Sequence, residues 1–197
     1  MGINLQKGQK IDLTKGGAGL RHVMVGLGWD EAPQTQKGFL GLFSKPQPID
    51  CDASAILCNA NGKFRDCVYY GNLKLVDGSV VHQGDNLTGE GDGDDEQIMV
   101  DISRLSGDVH KIVFVVNIYS ANERKQHFGM IQNAFIRLVD MDKNTELCRF
   151  NLSENYYGME GMIVGEIYRY NGEWKFNAIG QPVQSASRVD NLISMYR

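Results

Sequence analysis

No apolar run in this chain reaches the roughly 18 residues that suggest a membrane-spanning helix. The opening Met1-Gly2-Ile3-Asn4-Leu5-Gln6-Lys7 also lacks the apolar stretch of a secretory leader, and Gln6 stands where an N-myristoylation pattern wants Ser or Thr. A cytoplasmic protein that is not integral to a membrane is expected. Cysteine is scarce at 4 of 197 residues: Cys51, Cys58, Cys67 and Cys148 make no C-x-x-C pair and have no histidine at zinc-finger spacing. Buried free thiols are therefore expected, with neither disulfides nor zinc. Basic charge is not in excess, because 20 Lys and Arg stand against 24 Asp and Glu for a net charge of −4. Without a basic cluster, nucleic acid is not an expected partner. His22, His82, His110 and His127 are scattered, with no i, i+4 pair; His82 lies near an acidic stretch and could orient a carboxylate there, but a surface position is expected for it.

What is present is the composition of a folded globule, 42% hydrophobic and 22% charged, at a length that suits one domain spanning 1–197. Short apolar runs separated by turn residues dominate, which argues for β structure. In one, Val23, Val25, Leu27 and Trp29 alternate with Met24, Gly26 and Gly28. Ala53 to Cys58 and Cys67 to Tyr70 flank Asn61-Gly62, and Met162 to Tyr170 and Lys175 to Ile179 flank Asn171-Gly172, both tight-turn signals. Phe135 to Val139 and Leu147 to Leu152 add further strands. Lys111 to Tyr119 is apolar on both faces and reads as a central strand. Helical spacing is limited to Val189, Leu192, Ile193 and Tyr196, and to two turns within Glu123 to Gln132. The expected fold is all-β: a two-sheet β-sandwich of about eight to ten strands, with short peripheral helices and a C-terminal helix. Residues 34–48, with two prolines beside Gly38 and Gly41, read as a long, mobile loop excursion whose Phe39, Leu40, Leu42 and Phe43 fold back on the body.

The segment from Gly84 to Glu96 is the most informative. Six of its thirteen residues are carboxylates, four are glycines, and none is Lys or Arg. Two charges about 5 Å apart repel by roughly 0.8 kcal/mol in water and about 3 kcal/mol at an effective dielectric of 20, so a compact loop must recruit a cation. Calcium suits it, since a hard ion takes six to eight oxygens in flexible geometry and glycines let carboxylates and carbonyls converge. The spacing is neither an EF-hand nor a tandem calcium β-roll. A second acidic group, Asp50-Cys51-Asp52-Ala53-Ser54, puts Asp50, Asp52 and Ser54 on one side of an extended chain, and Asp30 at the end of a strand could join either group if the strand ends meet.

With these residues in hand, the chain resembles the TerD family of tellurium-resistance and bacterial stress proteins, which also includes slime-mould cAMP-binding proteins. The likeness runs through Ile3 to Gly8, Val25 to Asp30, Asp50 to Ala55, Tyr70 to Leu73, Gly84 to Glu96, Lys111 to Tyr119 and Phe128 to Asp140. It implies a β-sandwich that binds calcium, two ions by expectation, and acts without catalysis in stress or toxic-oxyanion resistance. Carried over residue by residue, the implied ligands are Asp85, Asn86, Asp92, Asp94, Asp95 and Glu96, with Asp52 as partner, Asp30 and Asp50 as weaker members, and the carbonyls of Gly89 and Gly91. The implied partners are other proteins, including further family members or membrane-associated stress proteins, with a peripheral place at the inner membrane face.

Two rival readings come from the same residues. Asp50-x-Asp52 resembles the D-x-D of phosphohydrolases, and with the 85–96 cluster could serve a metal-dependent phosphoesterase, but that motif belongs after a parallel strand and no βαβ alternation is present. A cyclic-nucleotide-binding module is the other, implied by the resemblance to the slime-mould proteins; a nucleotide-binding reading of Gly26-x-Gly28 is weaker, since the pair lacks the third glycine of a dinucleotide fingerprint and a following helix. Asn117, inside an apolar run, reads as a hydrogen-bonded core residue.

Overall fold

The computed structural model describes residues 2–14, 19–32, 47–84, 93–152, 154 and 156–197. Among these, twelve strands form two sheets of six. The first sheet runs in the order β1 (Ile3–Leu5), β10 (Thr145–Asn151), β9 (Ile131–Asp140), β3 (His22–Glu31), β7 (Glu96–Asp101) and β6 (Val80–His82). The second runs β2 (Lys10–Asp12), β12 (Glu173–Val183), β11 (Gly161–Tyr170), β8 (Lys111–Ile118), β4 (Cys51–Cys58) and β5 (Phe64–Val68). Every pairing is antiparallel except β1 with β10. The all-β sandwich expected from the apolar pattern is the fold observed.

Alternation builds the core. Val23, Val25, Leu27 and Trp29 of β3 meet Cys51, Ala53, Ala55 and Leu57 of β4 and Ile112, Phe114, Val116 and Ile118 of β8 between the sheets. The other face of β8 is also apolar, and Val113 and Val115 pack under Ala186, Val189, Leu192 and Ile193. That cover is the expected C-terminal helix, α2 (Val189–Ile193), continued by a 3-10 turn over Ser194–Tyr196. Covering the second face is what lets a strand apolar on both sides persist, since each enclosed Val or Ile contributes about 1.5–3 kcal/mol.

Both tight-turn signals hold. Tyr170 pairs with Glu173 across Asn171 and Gly172, whose φ angles of 51° and 81° are both left-handed, as a type I′ turn requires. In the other hairpin Gly62 has φ 74°, and the Asn59 carboxamide oxygen accepts from the N–H groups of Asn61 and Lys63.

Three expectations need correction. The helix placed within Glu123 to Gln132 is shorter and earlier: α1 spans Ala121–Arg124, Lys125 at φ 54° ends it, Phe128–Met130 is a 3-10 turn, and Ile131 and Gln132 already pair with β3. The strand count is twelve because β1, β2 and β6, with three residues each, are too short to show a period. β7 alternates cleanly, and its first residue, Glu96, is also the last of the acidic segment. His82 is buried, since β6 turns Val80 and His82 inward and leaves Val81 half-buried. Positions 34–46 of the excursion, including Phe39, Leu40, Leu42 and Phe43, lie outside the described residues. Its end is tied down: Gln126 Nε2 donates to the carbonyls of Gln47 and Pro48 at 2.9 and 3.1 Å. Among the described residues no helix is long and apolar enough to cross a membrane.

Candidate metal centre

One end of the sandwich gathers the C-terminal ends of β3, β6 and β8 and the N-terminal ends of β4 and β7, because these strands alternate in direction. The acidic loop leaves and re-enters at this end. Its feet, Gly84 at φ 126° and Gly93 at φ 116°, hold backbone conformations that side chains disfavour, which accounts for glycine at both. Of the implied ligands, Asp85, Asn86, Gly89, Gly91 and Asp92 lie outside the described residues, whereas Asp30, Asp50, Asp52, Asp94, Asp95 and Glu96 are described.

The three consecutive carboxylates point to different places. Asp94 lies against the outer face of the first sheet over Gly26, where a Cβ would collide with its carboxylate. There Arg137 of β9 clasps it with two bonds, Nε to Oδ1 at 2.7 Å and Nη2 to Oδ2 at 2.9 Å, and also reaches Glu146 at 3.3 Å. Asp95 caps the end of β3: its N–H donates to Leu27 O at 2.8 Å, and its Oδ2 accepts from Trp29 N–H at 2.7 Å. Burial raises the Asp95 carboxyl above its ordinary value and the charges of Asp30 and Asp94 add to this, against the Trp29 bond.

Glu96 points between the sheets. Its fully buried Oε2 accepts from Ala53 N–H of β4 at 2.6 Å and stands 3.4 Å from His82 Nε2. The Gly84 N–H donates to His82 Nδ1 at 3.2 Å, so the imidazole proton belongs on Nε2, facing Glu96. Glu96 thus ties the foot of the loop to the opposite sheet, and His82, a residue the sequence placed at the surface, is its neighbour.

Asp52 is buried on the outer face of the second sheet and accepts from Asn117 Nδ2 at 3.2 Å, which makes Asn117 the hydrogen-bonded core residue expected. Asp50 pairs with Arg124 at 3.3 Å, and Asp30 accepts from Asn133 Nδ2 at 2.7 Å, at the exposed rim. Burial pushes the Cys51 thiol well above its ordinary value, and the negative charges of Glu96, Asp52, Asp50 and Asp95 push in the same direction. All four cysteines are buried and free, as expected, and burial lifts Cys58 to about 11 and Cys67 and Cys148 to about 12.

The structure therefore brings Asp50, Asp52, Asp95 and Glu96 to one end of the sandwich but gives each its own partner, Arg124, Asn117, Trp29 N–H and Ala53 N–H, and takes Asp94 to Arg137 and Asp30 to Asn133. Among the described residues no three Asp, Glu, His or Cys side chains are arranged to hold a metal ion. The donors present are hard oxygens, of the kind calcium takes and zinc does not favour. β4 runs antiparallel to both neighbours, so Asp50 and Asp52 do not follow a parallel strand. Sequence reasoning missed Arg137, whose signal was a lone arginine among the apolar residues of β9, at an outward position.

A family model described as the TerD domain matches residues 1–196. Stress response protein SCP2 of Bacillus subtilis (strain 168) is 52% identical over all of both chains. Tellurium resistance protein TerD of Alcaligenes sp. is 46% identical over 91% of this chain and 90% of its own. A crystal structure of a homologue of telluride resistance protein (TerD) from Streptomyces coelicolor A3(2) superposes with a TM-score of 0.63 at 22% identity, covering 85% of this chain and 92% of that one.

Proposed function

Since the chain belongs to the TerD domain family, we propose that it is a calcium-binding, non-enzymatic protein of stress and toxic-oxyanion resistance that works in the cytoplasm by contact with other proteins. The observation that carries this reading is the foot of the acidic loop, where Asp95 caps β3 and Glu96 is buried between the sheets beside His82, below a segment that brings Asp85, Asn86, Glu90 and Asp92. Six carboxylates within the thirteen residues 84–96 repel one another unless a cation joins them. Asp52, Asp95 and Glu96, with Asp85, Asn86, Asp92 and the Gly89 and Gly91 carbonyls, would hold calcium. Asp94 and Asp50, each against an arginine, serve as anchors of the surrounding chain. Bound calcium supplies positive charge that offsets this repulsion. Glu96 already joins the loop to β4 through Ala53 N–H, so neutralising the cluster fixes the loop relative to both sheets and makes one surface for a partner to read.

Thermal unfolding in calcium, magnesium and chelator tests this. Calcium at 100 times its dissociation constant stabilises by about 2.7 kcal/mol if only the folded chain binds it. For a chain this size that raises the midpoint by roughly 5–10 °C. A midpoint that calcium leaves unchanged would overturn the calcium reading. Magnesium-dependent hydrolysis of phosphate esters would overturn the non-enzymatic one.

A further inference from the structure

Two arginines stand side by side on the outer face of the first sheet. Arg137 of β9 and Arg149 of β10 are directly opposite in the antiparallel ladder, so both side chains leave the sheet on the same face. Like charges so placed repel unless anions meet them. The fold treats the two differently. Arg137 is neutralised by Asp94, at 2.7 and 2.9 Å, and by Glu146 at 3.3 Å. Arg149 meets no carboxylate among the described residues: its Cζ lies 3.5 Å from the centre of the Phe135 ring, and its Nε donates to Asn151 Oδ1 at 2.9 Å. Ring and carboxamide are neutral, so they hold the guanidinium in place without cancelling its charge. Among the described residues nothing accepts a hydrogen bond from its Nη1 or Nη2.

Arg149 borders a cleft of about 550 Å³, a size that suits a small molecule, and Gln132, Asn133, Asn151, Leu152 and Glu154 line it too. A β-bulge shapes its rim. Where β9 slips against β3, Asn133 and Ala134 together face the single Trp29, and Asn133 takes a left-handed φ of 56°. Gln132 and Asn133 are both exposed there. Glu154, the acid on the wall, is engaged by Lys7, whose Nζ is 3.1 Å from each carboxylate oxygen.

The groups left over define what fits. Arg149 Nη1 and Nη2 and Asn151 Nδ2 can donate; Asn133 Oδ1 can accept, since its Nδ2 is given to Asp30 at 2.7 Å; Gln132 can do both. A flat guanidinium fork matches the two oxygens of a carboxylate, and one guanidinium cancels one negative charge. A phosphate dianion would keep a charge uncompensated beside Glu154. Carboxamides on the wall suit hydroxyl groups. We propose that this cleft binds a small monocarboxylate with a hydroxylated body, the carboxylate on Arg149 and Asn151 and the body against Gln132 and Asn133. Neither calcium nor the acidic loop takes part, so the site stands or falls independently of the proposed function.

NMR titration of the ¹⁵N-labelled full chain tests it, in calcium-free buffer at constant ionic strength, with sodium gluconate, sodium acetate, sorbitol and inorganic phosphate as probes. Gluconate should shift the Arg149 Nε–H and the side-chain amides of Gln132, Asn133 and Asn151 and reach saturation. Acetate and sorbitol, each offering part of the recognised groups, should bind more weakly. Arg149→Gln should lower gluconate affinity by about tenfold or more, the share of one or two charge-assisted bonds. Gln132→Glu, at an exposed position that does not threaten the fold, puts a like charge in the cleft and should also weaken binding. Shifts that do not saturate in wild type, or an affinity that neither substitution changes, would overturn the proposal. Sorbitol binding as tightly as gluconate, or phosphate binding more tightly, would overturn the choice of a monocarboxylate.

Discussion

Replacing Gly26 by alanine tests the account of how the acidic loop is seated. The new methyl group would occupy the space of the Asp94 carboxylate, which lies across β3 at that position. Asp94 would be displaced from Arg137, losing two charge-assisted bonds of 2.7 and 2.9 Å. Such bonds contribute about 1.5–3 kcal/mol each. The Asp94 side chain is fully buried but that of Arg137 is 29% exposed, so water recovers part of the loss and about 2 kcal/mol is the reasonable share. Crowding adds about 1–3 kcal/mol, and the lower freedom of the unfolded alanine chain offsets about 0.4–1 kcal/mol. The net destabilisation is about 2–4 kcal/mol, or roughly 5–15 °C in melting temperature. Differential scanning calorimetry in chelator measures it without interference from calcium, and Gly107→Ala, where an added Cβ meets nothing within 4 Å, is the control. A Gly26→Ala protein that melts within about 2 °C of wild type, expected only if crowding and pair loss together fall below about 1 kcal/mol, would refute the reasoning.

Other consequences are open to simple assays. The four buried thiols, with pKa values lifted above the ordinary range, should stay unreactive toward a chromogenic disulfide at pH 8 until the chain is unfolded, and a rapidly labelled thiol in the native protein would contradict their burial. Gly172→Ala puts a side chain at φ 81° in the β11–β12 turn and should cost about 1–2 kcal/mol, read as a fall of roughly 2–8 °C; no change would argue against the type I′ geometry. The hydrogen bond between His22 Nδ1 and Asp142 at 2.7 Å raises the histidine pKa and lowers that of the carboxyl. The His22 contribution is complete below about pH 6.5 and fades as pH rises through its raised value. That of Asp142 is complete above about pH 4 and fades as pH falls through its lowered value. An NMR titration should therefore place the His22 midpoint above about 6.5, and a lower midpoint would contradict the pair.

Much of the fold was legible because a strand buried on one or both faces writes its period into the residues. β3, β8 and β11 declare themselves in this way, and the glycines of Asn61-Gly62 and Asn171-Gly172 stand where the chain needs positive φ. Three-residue strands have no period to read, which is why β1, β2 and β6 escaped notice and His82, on the last of them, was assigned to the surface. The order of residues alone determined that six of the 24 acidic residues fall in one glycine-rich loop, with a smaller group at Asp50 and Asp52. Only the tertiary structure decided which of them meet. Only Glu96 belongs to a strand, and Asp94 and Asp95 precede it in irregular chain that strand alternation does not govern, so the three part company: one goes to Arg137 outside the first sheet, one to the end of β3, and one to Ala53 across the core. The antiparallel pairing of β4 with β8 set Asn117 beside Asp52, 65 positions away along the chain. Sequence supplies the charges and the alternation; register and the packing of two sheets settle their company, because those depend on contacts between residues far apart in the chain.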